Sequence, residues 1–137
     1  MNGKKGFTLI EILVVVAIIG ALAGMVLPRL VGRSEQAKAT IARVDIESNI
    51  ASALKLYQLD NGMYPTTSQG LDGLVKMPTT SPLPAVWNGP YLEKDAVDPW
   101  GRKYQYQNPG THNTNGYDLY SSGPNEKDEK GRIANWK

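Results

Sequence analysis

The chain has 137 residues, no cysteine and a formal charge of +2, with its lysines and arginines scattered along it. These values exclude a disulfide-stapled fold and offer no basic stripe, so no nucleic-acid partner is expected. Once an apolar N-terminal segment is set aside, they leave room for one small domain that needs a core, a bound ion or neighbours to hold it.

That segment opens the chain. From Phe7 to Leu27, 21 residues, everything is apolar or glycine except Thr8 and Glu11. A helix needs about 20 such residues to cross a bilayer. A secretory signal has a shorter apolar core, about 7–15 residues, and ends at a small-residue cleavage site; Leu27-Pro28-Arg29-Leu30 is a poor end of that kind. Lys4 and Lys5 at one flank nearly balance Arg29 and Arg33 at the other, and the starting amine tilts the count only slightly toward a cytoplasmic N-terminus. Gly20 and Gly24 have the spacing that lets helices approach closely, although glycine is common in spans in any case. Pro28 leaves the Gly24 carbonyl without its helical donor, which predicts a kink or local melting over residues 24–28.

Glu11 is the anomaly in this run. A carboxylate near a span is costly and is normally paired or placed at an edge. Glu11 lies one turn inside, so snorkelling to the headgroups is one reading. The other is a charge pair. A cut between Gly6 and Phe7 would create an amine one turn away, on the same chain or on a neighbouring copy, and the pair would fix register between subunits.

Between Arg29 and Asp60 there is no proline and only one glycine, Gly32. Ala39, Ala42, Ile46, Ile50, Ala53, Leu54 and Tyr57 recur every three or four residues, one stripe of a helix, while Lys38, Arg43, Glu47, Ser48 and Lys55 fall off it. Asn61-Gly62 and then Pro65 end the pattern. Together with the span this predicts one helix of about 54 residues, roughly 80 Å long, whose stripe must be covered by the rest of the chain. In that rest, Thr66 and Gln69 have capping-box spacing ahead of a short helix through Leu71, Leu74 and Val75. Pro78 to Pro90 is a proline-rich loop, and Asp98-Pro99-Trp100-Gly101 is a turn. Lys103–Gln107 alternates like a strand, Tyr117–Ser121 is a second, and Ile133–Trp136 a third. A small antiparallel sheet laid on the helix stripe follows, an α+β arrangement.

Two sets of residues carry a resemblance. Lys4-Lys5-Gly6-Phe7-Thr8-Leu9-Ile10-Glu11 resembles the class III signal of type IV pilins and their relatives. That likeness implies cleavage by a prepilin peptidase between Gly6 and Phe7, N-methylation of Phe7, and an assembly role for Glu11. It also implies a cytoplasmic leader with the remainder outside. Loss of Lys4 and Lys5 would take the side-chain charge from +2 to 0. Tyr64-Pro65-Thr66-Thr67, Gly70-Leu71, Asp98-Pro99-Trp100-Gly101, Asp118-Leu119, Gly123-Pro124 and the closing Asn135-Trp136 are, in this order, similar to the major pseudopilins of type II secretion systems. Major type IV pilins usually carry a C-terminal disulfide, and this chain has no cysteine.

The resemblance implies a type IV pilin-like fold, with residues 1–6 as leader, 7–27 as the membrane half of the long helix, 28–61 as its amphipathic half and 62–137 as a periplasmic region with a small sheet. It implies a structural subunit and no enzyme: a homopolymer rising from the inner membrane as a periplasmic pseudopilus that drives export through the outer membrane. Implied partners are minor pseudopilins, an inner-membrane assembly platform, the prepilin peptidase and the secreted exoproteins. The alternatives are a type IV pilin of an extracellular fibre and a minor, tip-located pseudopilin; Glu11 and the short chain argue against the latter.

The family also binds calcium in the loop between its last strands. Here Ser122 would offer a carbonyl and Asn125 a side-chain oxygen, but the family's paired aspartates fall on Gly131 and Arg132. Asp128 and Glu129 are the remaining candidate ligands, set against Lys127, Lys130 and Arg132. Calcium takes six to eight oxygens, usually with more than one carboxylate. A solvated charged loop, or a salt bridge from Arg132 to Asp128 or Glu129, is the competing expectation. The single histidine, His112, sits in a polar loop with no recognisable nucleophile partner, and Trp87, Trp100 and Trp136 read as packing residues.

Overall fold

The computed structural model describes residues 3–137. The chain divides into two compact units, the first ending at Gln36 and the second running from Ala37 to Lys137. Helix α1 covers Leu9–Val44 and passes without a break into a π-helical turn, Asp45–Asn49, and then helix α2, Ile50–Asn61. The continuous helical stretch is 53 residues long. Its first part contains an 18-residue window of mean hydropathy 2.7, none of it buried, so that Leu13, Val16, Ile19 and Leu22 are all exposed.

The helix differs from expectation in where it is irregular. Residues 24–28 stay α-helical and Pro28 lies inside α1, so the predicted melting is absent from this structure. Proline removes one backbone bond, and the turns on either side keep theirs. The irregular turn is instead at Asp45–Asn49. It coincides with the widest spacing in the stripe. Ala42, Ile46 and Ile50 are four residues apart and all buried, while an α-helix turns once in about 3.6 residues. Repeating four would rotate the apolar face away from its partner, and the wider π turn takes up that excess. Asn49 Nδ2 donates to Asp45 Oδ1 across the turn at 2.7 Å, and the Tyr104 hydroxyl donates to Asp45 Oδ2 at 2.8 Å. Burial first, and then that bond to a carboxylate, push the Tyr104 phenol well above its ordinary value.

The second unit is built on the stripe. Ala42, Ile46, Ile50, Ala53, Leu54 and Tyr57 form one core cluster with Leu71, Leu74, Tyr104, Leu119 and Ile133, and Ala39 packs at its edge. Gly62 ends α2 in the left-handed region, φ 76°, with its N–H donating to the Gln58 carbonyl at 2.7 Å. The capping box predicted at Thr66 is present: Thr66 N donates to Gln69 Oε1 at 3.0 Å, and Gln69 N to Thr66 Oγ1 at 3.2 Å. The buried Gln69 amide then reaches the Thr80 and Pro82 carbonyls, both at 2.8 Å, and so ties the proline-rich loop to this turn. The short helix α3 spans Asp72–Val75, and its Leu74 carbonyl accepts from Tyr91 N and Leu92 N.

The three predicted strands form one antiparallel sheet in the order β1 (Gln105–Gln107), β2 (Asp118–Ser121), β3 (Ile133–Ala134). Tyr106 pairs with Leu119, and Tyr120 with Ala134. Asn135 carries the ladder past the end of β3: its amide donates to the Tyr117 carbonyl, its Oδ1 accepts from Leu119 N, and its own N–H donates to the Leu119 carbonyl. All three strands are shorter than the sequence pattern suggested, and at the end of β3 the Asn135 side chain completes the pairing.

Leu54 is fully buried and Leu56 half exposed on the same helix. Leu54→Ala should therefore cost about 2–5 kcal/mol of stability, and Leu56→Ala no more than about 0.5 kcal/mol. Denaturant melts of the full chain in detergent check this; equal losses would contradict the stripe.

Candidate functional site

The N-terminal motif lies at the start of α1. Gly6 and Phe7 precede the first helical residue, Leu9, and Phe7 is exposed. Thr8 is the residue just before the helix and Glu11 is in its first turn. The two cap one another. Glu11 N donates to Thr8 Oγ1 at 3.3 Å, and Thr8 N donates to Glu11 Oε2 at a long 3.5 Å. This is the reciprocal capping box of a Thr-x-x-Glu sequence. Glu11 thus has a local partner in the uncleaved chain, satisfying helix-end N–H groups that would otherwise meet an apolar environment. Its bond partner, Thr8, directly follows the residue that would carry a new amine after cleavage at Gly6.

A second concentration of polar side chains lies around the C-terminal loop. Asp98 is buried and organises its turn: Oδ1 accepts from Trp100 N at 3.1 Å and Arg102 N at 2.9 Å, and Oδ2 accepts from the Ser121 hydroxyl at 2.6 Å. Gly101 takes φ 85°, which the Asp-Pro-Trp-Gly turn requires. Ser121 Oγ in turn accepts from Gly123 N at 3.0 Å, and the Arg102 guanidinium donates to the Gly123 carbonyl. The turn expected from Asp98-Pro99-Trp100-Gly101 therefore anchors the entry to the 122–132 loop.

Asp118 anchors the preceding loop. Its carboxylate accepts from three successive backbone N–H groups, Thr111 at 2.8 Å, His112 at 2.9 Å and Asn113 at 2.9 Å, and lies 3.0 Å from His112 Nδ1. Gly110 is needed here, because a Cβ at that position would stand 2.5 Å from Asp118 Oδ1. Desolvation alone would raise the Asp118 pKa. The backbone N–H groups of His112 and Asn113, the His112 ring and the Thr111 N–H together outweigh it and hold the carboxyl below its ordinary value. The His112 ring is exposed and stacks on Trp136 at 4.0 Å.

The residues that the resemblance implies for calcium each make local contacts. Ser122 is buried at the loop entry. Asn125 Oδ1 accepts from Lys127 N at 3.1 Å, and Asp128 Oδ1 from Lys130 N at 3.0 Å, each closing a local turn. Glu129 Oε1 lies 3.3 Å from Arg132. Among the described residues no group of three or more His, Cys, Asp or Glu side chains is placed to hold a metal. The described side chains do not supply the cluster of carboxylates that calcium usually takes, whereas the alternative salt bridge from Arg132 to Glu129 is present.

The whole chain matches known proteins. The prokaryotic N-terminal methylation motif matches residues 1–27, and the family of type II secretion system (T2SS), protein G matches residues 29–136. The chain belongs to the type II secretion system protein G family. A type II secretion system core protein G of Pseudomonas aeruginosa is 51% identical over 138 residues, covering 97% of this chain and 95% of that one. Its counterpart from Escherichia coli K12 is 47% identical over 135 residues, covering 97% and 91%. The crystal structure of the major pseudopilin from the type 2 secretion system of enterohaemorrhagic Escherichia coli superposes with a TM-score of 0.68 at 37% identity, over 78% of this chain and 89% of that chain. The fold is therefore the pilin-like one, and the protein G family places the chain among secretion pseudopilins rather than the type IV pilins of extracellular fibres. The apolar N-terminal helix and the family together fit anchoring in the inner membrane.

The lowered Asp118 pKa fixes a pH dependence. The charged carboxylate stabilises the fold fully above its ordinary value of 3.8, and that contribution disappears as the pH falls through the lower folded value. Asp118→Asn should lower stability at neutral pH by about 1–3 kcal/mol and flatten the acid limb of a stability–pH curve. An acid limb unchanged from that of the parent chain would contradict the assignment.

Proposed function

We propose that this protein is the repeating subunit of a periplasmic pseudopilus, made as a precursor, cut between Gly6 and Phe7, and N-methylated on Phe7. One observation carries the reading: an apolar helix from Leu9, long enough to cross a membrane, begins within an N-terminal methylation motif. Such a face is stable in a bilayer or against other copies, not in water. Copies that leave the membrane bury these helices against one another, and a head-to-tail contact that does not close generates a helical filament. The chain itself does no chemistry in this reading. It is a substrate of the prepilin peptidase and the moving part of an export machine. Before assembly its N-terminus is cytoplasmic and its C-terminal domain periplasmic. An assembly platform would extract it, minor pseudopilins would cap the rod, and exoproteins would be pushed outward.

The capping box gives Glu11 two stages. In the precursor it caps α1 through Thr8. After cleavage it pairs with the amine of Phe7, on its own chain or on the next, and that pair sets the register of the filament. Glu11→Ala should leave cleavage and methylation intact, read as the mass of the mature chain and its N-methylated phenylalanine. Filament yield from membranes should fall at least tenfold. Equal yield would remove the charge pair from the account.

A further inference from the structure

We propose that the 121–132 loop is closed by two arginines, Arg102 and Arg132, where the family resemblance implies a calcium ion, and that this protein folds independently of calcium. The ends of the loop meet at Gly123 and Gly131: a Cβ on Gly123 would collide with the Gly131 carbonyl. Gly123 adopts φ 72°, so both the conformation and the close approach require glycine. An arginine stands on each side of this neck. Arg102 donates from its guanidinium to the Gly123 carbonyl, and its own N–H is held by the buried Asp98 at 2.9 Å. Arg132 directly follows Gly131. Its guanidinium lies 5.0 Å from the centre of the Tyr120 ring and 3.3 Å from Glu129. Tyr120 pairs with Ala134, and Trp136 meets the same ring edge-on at 5.4 Å. Arg132, Ala134 and Trp136 alternate along the strand and share the Tyr120 face, so the arginine fastens the exit of the loop to the sheet.

The charge balance points the same way. The Nε atoms of both arginines are buried without a protein partner, and both side chains are partly buried. A divalent cation beside two such groups would be repelled: within the loop Lys127, Lys130 and Arg132 are matched by Glu126, Asp128 and Glu129, and Arg102 adds one more positive charge at the neck. One oxygen of each candidate side chain already has a partner: Asn125 Oδ1 and Asp128 Oδ1 accept from backbone N–H groups, and Glu129 Oε1 faces Arg132. The two arginines divide what a cation would supply here: Arg102 holds a carbonyl, and Arg132 holds a carboxylate while its planar group stacks on an aromatic ring. The proposal concerns the folded subunit and does not depend on whether the subunit polymerises.

The test uses the full mature chain in detergent, melted with calcium chloride and again with a calcium-selective chelator, alongside calorimetric titration with calcium. The expected result is one melting temperature in both media and no binding heat. A rise of several degrees with calcium, or stoichiometric binding, would overturn the proposal. Arg132→Ala should lower the melting temperature by several degrees, equally in both media. A loss that calcium repairs, or no loss at all, would also overturn it. Arg132→Lys keeps the charge but loses the planar stack, and should recover less than half of the lost degrees; full recovery would count against the stacking role.

Discussion

The fold of the second unit rests on one contact, the burial of the helix stripe from Ala42 to Tyr57 beneath a sheet of only three short strands. Strands of two to four residues make few ladder bonds, and so small a sheet is not stable without an apolar surface to lie on. The stripe supplies that surface, and its demands propagate outward. The π turn at Asp45–Asn49 keeps Ile46 and Ile50 facing the sheet. The Asp45 carboxylate then meets Tyr104 from the segment leading into β1. A local helical irregularity and a long-range hydrogen bond thus share one cause.

With so little sheet, much of the order in the region beyond residue 62 comes from side chains bonded to backbone. Gln69 holds the proline-rich loop, Asp98 the turn before β1, Asp118 the loop before β2, and Asn135 the end of β3. Each is a short polar side chain satisfying backbone groups that no strand or helix pairs, the general condition for a loop-rich fold that excludes water. Without cysteine these contacts take the place that a disulfide would have. The two arginines at the loop neck extend the same logic to a charged centre.

The sequence disclosed the repeating patterns more readily than the closures. The stripe was legible because its three- and four-residue intervals persist over five turns, and the capping box at Thr66 because its partners are three residues apart. The π turn was not, since a four-residue interval suits an α-helix locally and drifts only when repeated. Pro28 misled in the opposite direction: its chemistry permits a break, but one missing bond does not impose it. The Thr8–Glu11 cap has a visible signature, Thr-x-x-Glu, but the apolar run that follows makes Glu11 read as a charge in a span rather than as a helix cap. The role of Asp118 was not legible. Its donors are backbone N–H groups of residues 111–113, brought to it only when Gly110 N donates to the Gly116 carbonyl at 3.0 Å and closes the loop. At the candidate metal loop the sequence showed Gly131 and Arg132 in place of the paired aspartates, and the structure adds what the arginine touches, Tyr120 and Glu129.

A filament of this subunit requires that the apolar helix be covered by other copies of itself. The absence of cysteine makes a direct measurement simple. Cysteines placed at Ile10 and Val16, both exposed in the single chain, would be oxidised in membranes from cells assembling the secretion apparatus and separated without reductant. The account predicts a ladder extending well beyond the dimer. Monomers alone, or a dimer with nothing above it, would contradict it.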